Sequence, residues 1–209
     1  TGNNGAIGDP WAGEGYQGTS VALWHGCFVP TPMPVGGGGR GGRGAAAAAS
    51  GNSAGRIRDG ADAFGRQCVV LSTQVKHVGV RPGIPSGYEV FIDGARLATG
   101  LDAIDWVRRG EELGAGEIVV NSIDRDGTAS GYDLEITRAV ADAVNVPIIA
   151  SGGAGTIDHI ADGLTKGGAH AAIISSILYS PRFDRNLGVR ELKVGLTTRG
   201  VLMRPYLEL

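Results

Sequence analysis

Three apolar runs of strand length each stop at a cluster of small polar groups. Ile118-Val-Val leads into Asn121-Ser-Ile-Asp-Arg-Asp-Gly-Thr128, Ile148-Ile-Ala into Ser151-Gly-Gly-Ala-Gly155, and Ala171-Ala-Ile-Ile into Ser175-Ser176. The chemistry that these residue types suit is the grip of a phosphate ester. Without side chains, Gly152 and Gly153 let backbone N–H groups approach an anion closely, and a helix beginning near Thr156 turns its positive end toward them. The hydroxyls of Ser151, Ser175 and Ser176 add donors. Asn121, Asp124, Asp126 and Thr128 are suited to the hydroxyls of a polyol. A plainer reading stands beside this one: Asp124 and Asp126 satisfy loop amides and cap a turn, as Asp before Gly commonly does.

For these groups to meet, the strands must be parallel neighbours, because α/β proteins place ligands where adjacent strands finish. From Gln67 onward the pattern supports this, with apolar strand-length runs alternating with amphipathic helix-length segments in four βα units. The expected strands are Cys68 to Val75, Ile118 to Ile123, Ile148 to Ser151 and Ala171 to Ser176. Tyr88 to Ile92 reads as half of a small excursion after the first. The expected helices run from about Leu101 to Leu113, Asp133 to Val144 with Asp133 as cap, Ile157 to Lys166, and Val189 to Thr198. Gly167-Gly168 ends the third.

The chain has 209 residues, 42% hydrophobic and 19% charged, and a formal charge of −2, so it is expected to be globular. That balance gives no reason to expect nucleic acid or an anionic membrane as partner. Cys27 and Cys68 make no disulfide framework or metal-type cluster, and the setting expected is reduced and cytoplasmic. No apolar stretch is long enough to span a bilayer, and Thr1 to Gly18 lacks the pattern of a signal peptide. His25, His77, His159 and His170 have no ligand-like spacing, so neither metal nor cofactor is expected, and His159 is placed on a surface helix. Trp11, Trp24 and Trp106 read as packing residues.

The first 66 residues are different. Most of the 37 glycines lie there, and Gly36-Gly-Gly-Gly-Arg-Gly-Gly-Arg-Gly44 followed by Ala45-Ala-Ala-Ala-Ala49 is close to low complexity. A flexible linker is one reading of this stretch.

Gly114-Ala-Gly-Glu-Ile, Asp124-Arg-Asp-Gly-Thr, Ser130-Gly-Tyr-Asp133, Ile149 to Gly155 and Ala98-Thr-Gly-Leu-Asp102 together resemble the cyclase subunit of imidazole glycerol phosphate synthase, over about residues 64 to 204. The resemblance implies an α/β fold of the (βα)₈ type. It implies one barrel domain over residues 1–209, with a regular second half at 67–209 and a shortened or diverged first half at 1–66. It also implies an enzyme of histidine biosynthesis, a lyase. Ammonia from a partner glutaminase would convert a bis-phosphorylated phosphoribulosyl aminoimidazole carboxamide nucleotide into imidazole glycerol phosphate and aminoimidazole carboxamide ribotide.

Carried over by position, the resemblance assigns one phosphate to Gly127, Ser151, Gly152, Gly153, Ser175 and Ser176. The other falls to Gly37 and Gly38 of a glycine-rich turn and to Asn52 and Ser53 at the next strand end. Asn121, Asp124 and Thr128 would line the substrate, Gln74, Lys76 and Asp126 would occupy catalytic positions, and Glu117 would stand at the ammonia entrance. As an alternative, Glu117 is simply paired at the barrel floor.

Two departures bear on mechanism. The family's first-strand aspartate has no counterpart before Gly8-Asp-Pro10, and its second falls on Gln74 within Ser72-Thr-Gln-Val-Lys76. Glutamine hydrogen-bonds but exchanges no proton near neutrality. Three readings follow: a cyclase, a non-catalytic barrel that binds phosphorylated ligands or a partner, or a record incomplete before Gln67, since a full barrel usually needs about 250 residues.

Overall fold

The structure, a computed structural model, describes residues 54–179 and 187–204 and the backbone of a strand at Thr19–Leu23. That strand is β1. Helix α1 covers residues 54–64, and a single 3₁₀ turn at Arg66–Cys68 leads into β2, Val69–His77. A hairpin of β3, Tyr88–Ile92, and β4, Leu97–Asp102, precedes α2, Ala103–Leu113. Then follow β5 (Glu117–Ser122), α3 (Leu134–Ala143), β6 (Ile148–Ser151), α4 (Ile157–Thr165), β7 (Ala171–Ala172), the short α5 (Ser176–Tyr179) and α6 (Val189–Thr197).

Strands β2, β5, β6 and β7 are consecutive parallel neighbours. Their alternation follows from the two-residue period of a strand. Val69, Leu71 and Val75 of β2, Ile118 and Val120 of β5 and Ile148 of β6 are buried in one cluster with Trp106 and Val107 of α2 and Ile136 and Val140 of α3. The intervening residues Ser72, Gln74, Asn121 and Ser151 lie on the other face and are only half-buried. A second cluster joins Ala150 to Ile160 and Ala161 of α4 and to Leu192 and Leu196 of α6. Each fully buried Leu or Ile stabilises such a layer by about 1.5–3 kcal/mol.

The helices start where side chains satisfy their first amides. Asp102 accepts the N–H groups of Ile104 and Asp105, Asp133 that of Ile136, and Thr156 that of His159. The β2, β5 and β6 boundaries and the α3 and α4 boundaries agree with the sequence reading to within about two residues.

Three expectations need correction. The fourth strand, expected to reach Ser176, is a ladder of two residues: the Ile173 N–H still donates to the Ala150 carbonyl at 2.8 Å, but the chain then leaves the sheet and turns into α5. Among the described residues no strand pairs with its outer edge, so nothing there continues the ladder. Leu101 and Asp102, expected in a helix, end β4, because an N-cap residue takes extended backbone. Finally, the sheet is mixed. The excursion is an antiparallel hairpin, β4 pairing with β3 and β3 with β2, while β1 pairs antiparallel with β2 at Val69 to Thr73.

Candidate anion site at the carboxyl end of the sheet

Register places Gln74, Asn121 and Ser151 in one row across β2, β5 and β6. Beyond that row, the loops after β5 and β6 and the segment after β7 enclose a small cavity of about 60 Å³. It is lined by Asp126, Gly127 and Ala129, by Ser151 to Ala154, and by Ile173, Ser175 and Ser176. Three separate strand ends therefore converge, and among the described residues no lysine or arginine lines the cavity.

The glycines explain how the loops come so close. Gly153 has φ +106°, and a Cβ there would lie 2.2 Å from the Gly131 carbonyl oxygen. A Cβ on Gly152, φ +87°, would lie 2.9 Å from the Ser122 carbonyl and 3.0 Å from Asn121 Oδ1. Both positions are thus required by packing and backbone conformation as well as by any ligand. The Gly131 N–H donates to the Gly153 carbonyl at 2.8 Å, tying the two loops together. By contrast, the N–H groups of Gly152, Gly153 and Ala154 and the hydroxyls of Ser151, Ser175 and Ser176 have no hydrogen-bond partner among the described residues. Donors that no described residue engages, gathered around a cavity that no described cationic side chain lines, are the groups an anion-binding concavity requires.

Other expected residues separate from this cavity. Asp124 accepts the His77 N–H through Oδ2 at 2.8 Å and lines a broader cleft with Tyr88, Arg125, Tyr132 and Glu135, so the plainer loop-amide reading describes its contact. Thr128 Oγ1 donates to the Arg125 carbonyl at 2.7 Å and holds the turn that carries Asp126 and Gly127. Asp126, by contrast, stays at the cavity: its N–H donates to the Ser122 carbonyl at 2.9 Å and the residue lines the wall. Lys76 is exposed, its Nζ 5.8 Å from the centre of the Phe91 ring. Glu117 starts β5, at the end of the sheet opposite the cavity. Gly37, Gly38, Asn52 and Ser53 lie outside the described residues.

Two residues near the site carry roles that the sequence reading missed. Asp133, besides capping α3, accepts the Tyr88 hydroxyl at 3.2 Å and the Ser122 hydroxyl at 3.1 Å, and so pins the hairpin to β5. Burial, and then the Asp133 carboxylate, pushes the Tyr88 hydroxyl well above the ordinary tyrosine range. Burial alone does the same to Tyr132, whose hydroxyl donates to the Ile173 carbonyl at 2.8 Å. His159, placed on a surface helix, is half-buried: its Nδ1 accepts the Gly155 N–H at 3.3 Å.

Parallel strands backed by helices, with an amide- and hydroxyl-lined cavity at their carboxyl ends, define an α/β protein whose candidate site lies where such folds place ligands. Residues 45–184 match the model of a family described as histidine biosynthesis protein. The chain belongs to that family. Its fold class is the α/β, (βα)₈ barrel expected from the resemblance, and β2, β5, β6 and β7 are successive staves of it.

Among curated relatives, the chain is 53% identical over 145 residues to a protein of Solidesulfovibrio magneticus named imidazole glycerol phosphate synthase subunit HisF, the match covering 69% of this chain and 54% of that one. A protein of the same name from Desulforapulum autotrophicum is 52% identical over 148 residues, covering 71% and 56%. One from Desulfatibacillum aliphaticivorans is 47% identical over 152 residues, covering 73% and 57%. The chain spans about half the length of the curated relatives it matches. Among the described residues, no helix is long and apolar enough to cross a membrane.

Proposed function

We propose that this chain is the cyclase subunit of an imidazole glycerol phosphate synthase. With ammonia from a partner glutaminase, it acts on a bis-phosphorylated phosphoribulosyl aminoimidazole carboxamide nucleotide to give imidazole glycerol phosphate and aminoimidazole carboxamide ribotide. The observation that carries the reading is the convergence of unpartnered amides at Gly152, Gly153 and Ala154 with the hydroxyls of Ser151, Ser175 and Ser176. These groups, with Gly127, hold one substrate phosphate. Gly37, Gly38, Asn52 and Ser53 hold the other.

With the phosphate fixed there, the substrate lies across the row of Asn121 and Gln74, and Asn121, Asp124 and Thr128 face its hydroxyls. Ring closure needs groups that give and take protons. Asp126 supplies a carboxylate at the cavity wall and Lys76 an ammonium at the end of β2, whereas Gln74 supplies hydrogen bonds only. Glu117, four residues before Asn121, lies about 13 Å down the strand from it, at the end where ammonia enters. The glutaminase docks at that end, and the setting is cytoplasmic.

The amide at Gln74 favours a second reading, a barrel of the same family that binds the phosphorylated ligand or the partner without closing the ring. Ammonia-dependent turnover of the nucleotide by the purified chain, beside Gln74→Asp, separates the two. A wild type that is slow but measurable, accelerated at least about 100-fold by Gln74→Asp, supports the cyclase reading, since one positioned acid or base contributes 10²–10⁴-fold. Tight substrate binding with no turnover in either protein supports the binder. Absence of binding by both overturns the two together.

A further inference from the structure

The small cavity has a front, where the donors are free, and a back, where the loop that carries them is held. On the back, the Gly153 carbonyl takes the Gly131 N–H at 2.8 Å, and the Gly155 N–H is taken by His159 Nδ1 at 3.3 Å. The imidazole also packs on Gly131, where a Cβ would come within 3.3 Å of its Cδ2. One side chain thus touches both loops that frame the cavity.

Its platform is fixed from two directions. The His159 N–H donates to Thr156 Oγ1 at 3.1 Å, and Arg199 of the segment after α6 donates from Nε to Asp158 Oδ1 at 2.5 Å. Gly195 of α6 packs against Ile157, where a Cβ would come within 2.7 Å of Cδ1. The first turn of α4 is therefore held between α6 and the glycine loop. Nδ1 acts as an acceptor, so its lone pair, not a proton, faces the loop.

Building on the phosphate reading of the cavity, we infer that His159 is a positioning residue: by accepting the Gly155 N–H and bearing on Gly131, it holds Gly152 to Ala154 with their amides turned to the anion. It touches neither phosphate nor reacting atoms. What the loop needs from it is an acceptor at the place of Nδ1, one bond beyond Cγ. Asparagine presents an oxygen at the same distance from the backbone, and leucine fills similar space with no acceptor.

The test is the affinity of the 209-residue chain for inorganic phosphate, measured by calorimetry on wild type, His159→Asn and His159→Leu. Amide hydrogen exchange at Gly155 and thermal midpoints are recorded on the same samples. Expected is a weakening of about 10-fold or more in His159→Leu with faster exchange at Gly155, and recovery to within about 3-fold of wild type in His159→Asn. Affinity undiminished in His159→Leu, or equally lost in both variants at matched thermal midpoints, overturns the positioning role while leaving the phosphate reading standing. Failure of wild type itself to bind phosphate overturns that reading and this inference with it.

Discussion

Gly131 gives its backbone N–H to the carbonyl of Gly153 at 2.8 Å, and the Cα of Gly153 stands so near that any side chain there would meet the Gly131 oxygen. The two loops that follow β5 and β6 are thereby one wall, and the cavity exists because that wall closes.

Gly153→Ala is therefore expected to act first on stability. Its Cβ would lie 2.2 Å from the Gly131 oxygen at a φ of +106°, and the combined clash and strain should cost about 2–4 kcal/mol. Urea denaturation measures this. A cost under about 0.5 kcal/mol would mean that the loops separate freely, and would make Gly153 a clean probe of ligand contact.

The serines offer the cleaner probe. Ser151→Ala and Ser176→Ala each remove a hydroxyl that bonds to no described group, so stability should stay within about 0.5 kcal/mol of wild type. Affinity for a phosphate ester, by contrast, should fall about 10-fold in each, the usual worth of one hydrogen bond to a charged group. Calorimetric titration gives both comparisons. Unchanged affinity in both variants would remove the hydroxyls from the site.

Asp133, a residue only 8% exposed, joins three elements through one carboxylate. Asp133→Ala should destabilise the fold by about 3 kcal/mol, because it uncaps α3 and strands the buried hydroxyls of Tyr88 and Ser122. Asp133→Asn should recover roughly half of that loss. Equal midpoints for wild type and Asp133→Ala in urea would show that the junction contributes nothing.

Alkaline pH should weaken the protein through Tyr88 and Tyr132. Both are raised above the ordinary tyrosine value of 10.0, so the folded chain retains protons that the unfolded chain releases. The stability they contribute is complete below about pH 10 and is lost as pH rises above it. Phenolate absorbance followed beside unfolding should show Tyr88 and Tyr132 ionising only above the ordinary tyrosine range. Five tyrosines titrating together near pH 10 in a stable fold would contradict the burial assigned to these two.

Much of this arrangement could be read from the residues. The β2, β5 and β6 strands announce themselves because Val69, Leu71, Ile118, Val120 and Ile148 bury one face, while Asp133 and Thr156 mark helix starts by their side-chain chemistry. The approach of the β5 and β6 strand ends follows from their parallel order, whereas Ser176 reaches the cavity from the turn into α5. The β4 half of the hairpin was hidden, since Leu97-Ala-Thr-Gly-Leu-Asp102 carries a glycine and ends in a capping acid. Its pairing is also broken by a shift between Glu89 and Phe91. The contacts of Asp124 and His159 were invisible for another reason. Each bonds a backbone N–H, of His77 and Gly155, and a main-chain partner leaves no mark in residue identity.

The proposed site makes main-chain amides the anion's chief donors, and amide NMR of the isotope-labelled chain titrated with glycerol phosphate tests this most directly. Saturable shifts concentrated at Gly152, Gly153 and Ala154, with smaller ones at Ser175 and Ser176, are the result it predicts. Shifts confined to other parts of the fold, with those amides unmoved at saturation, would contradict it.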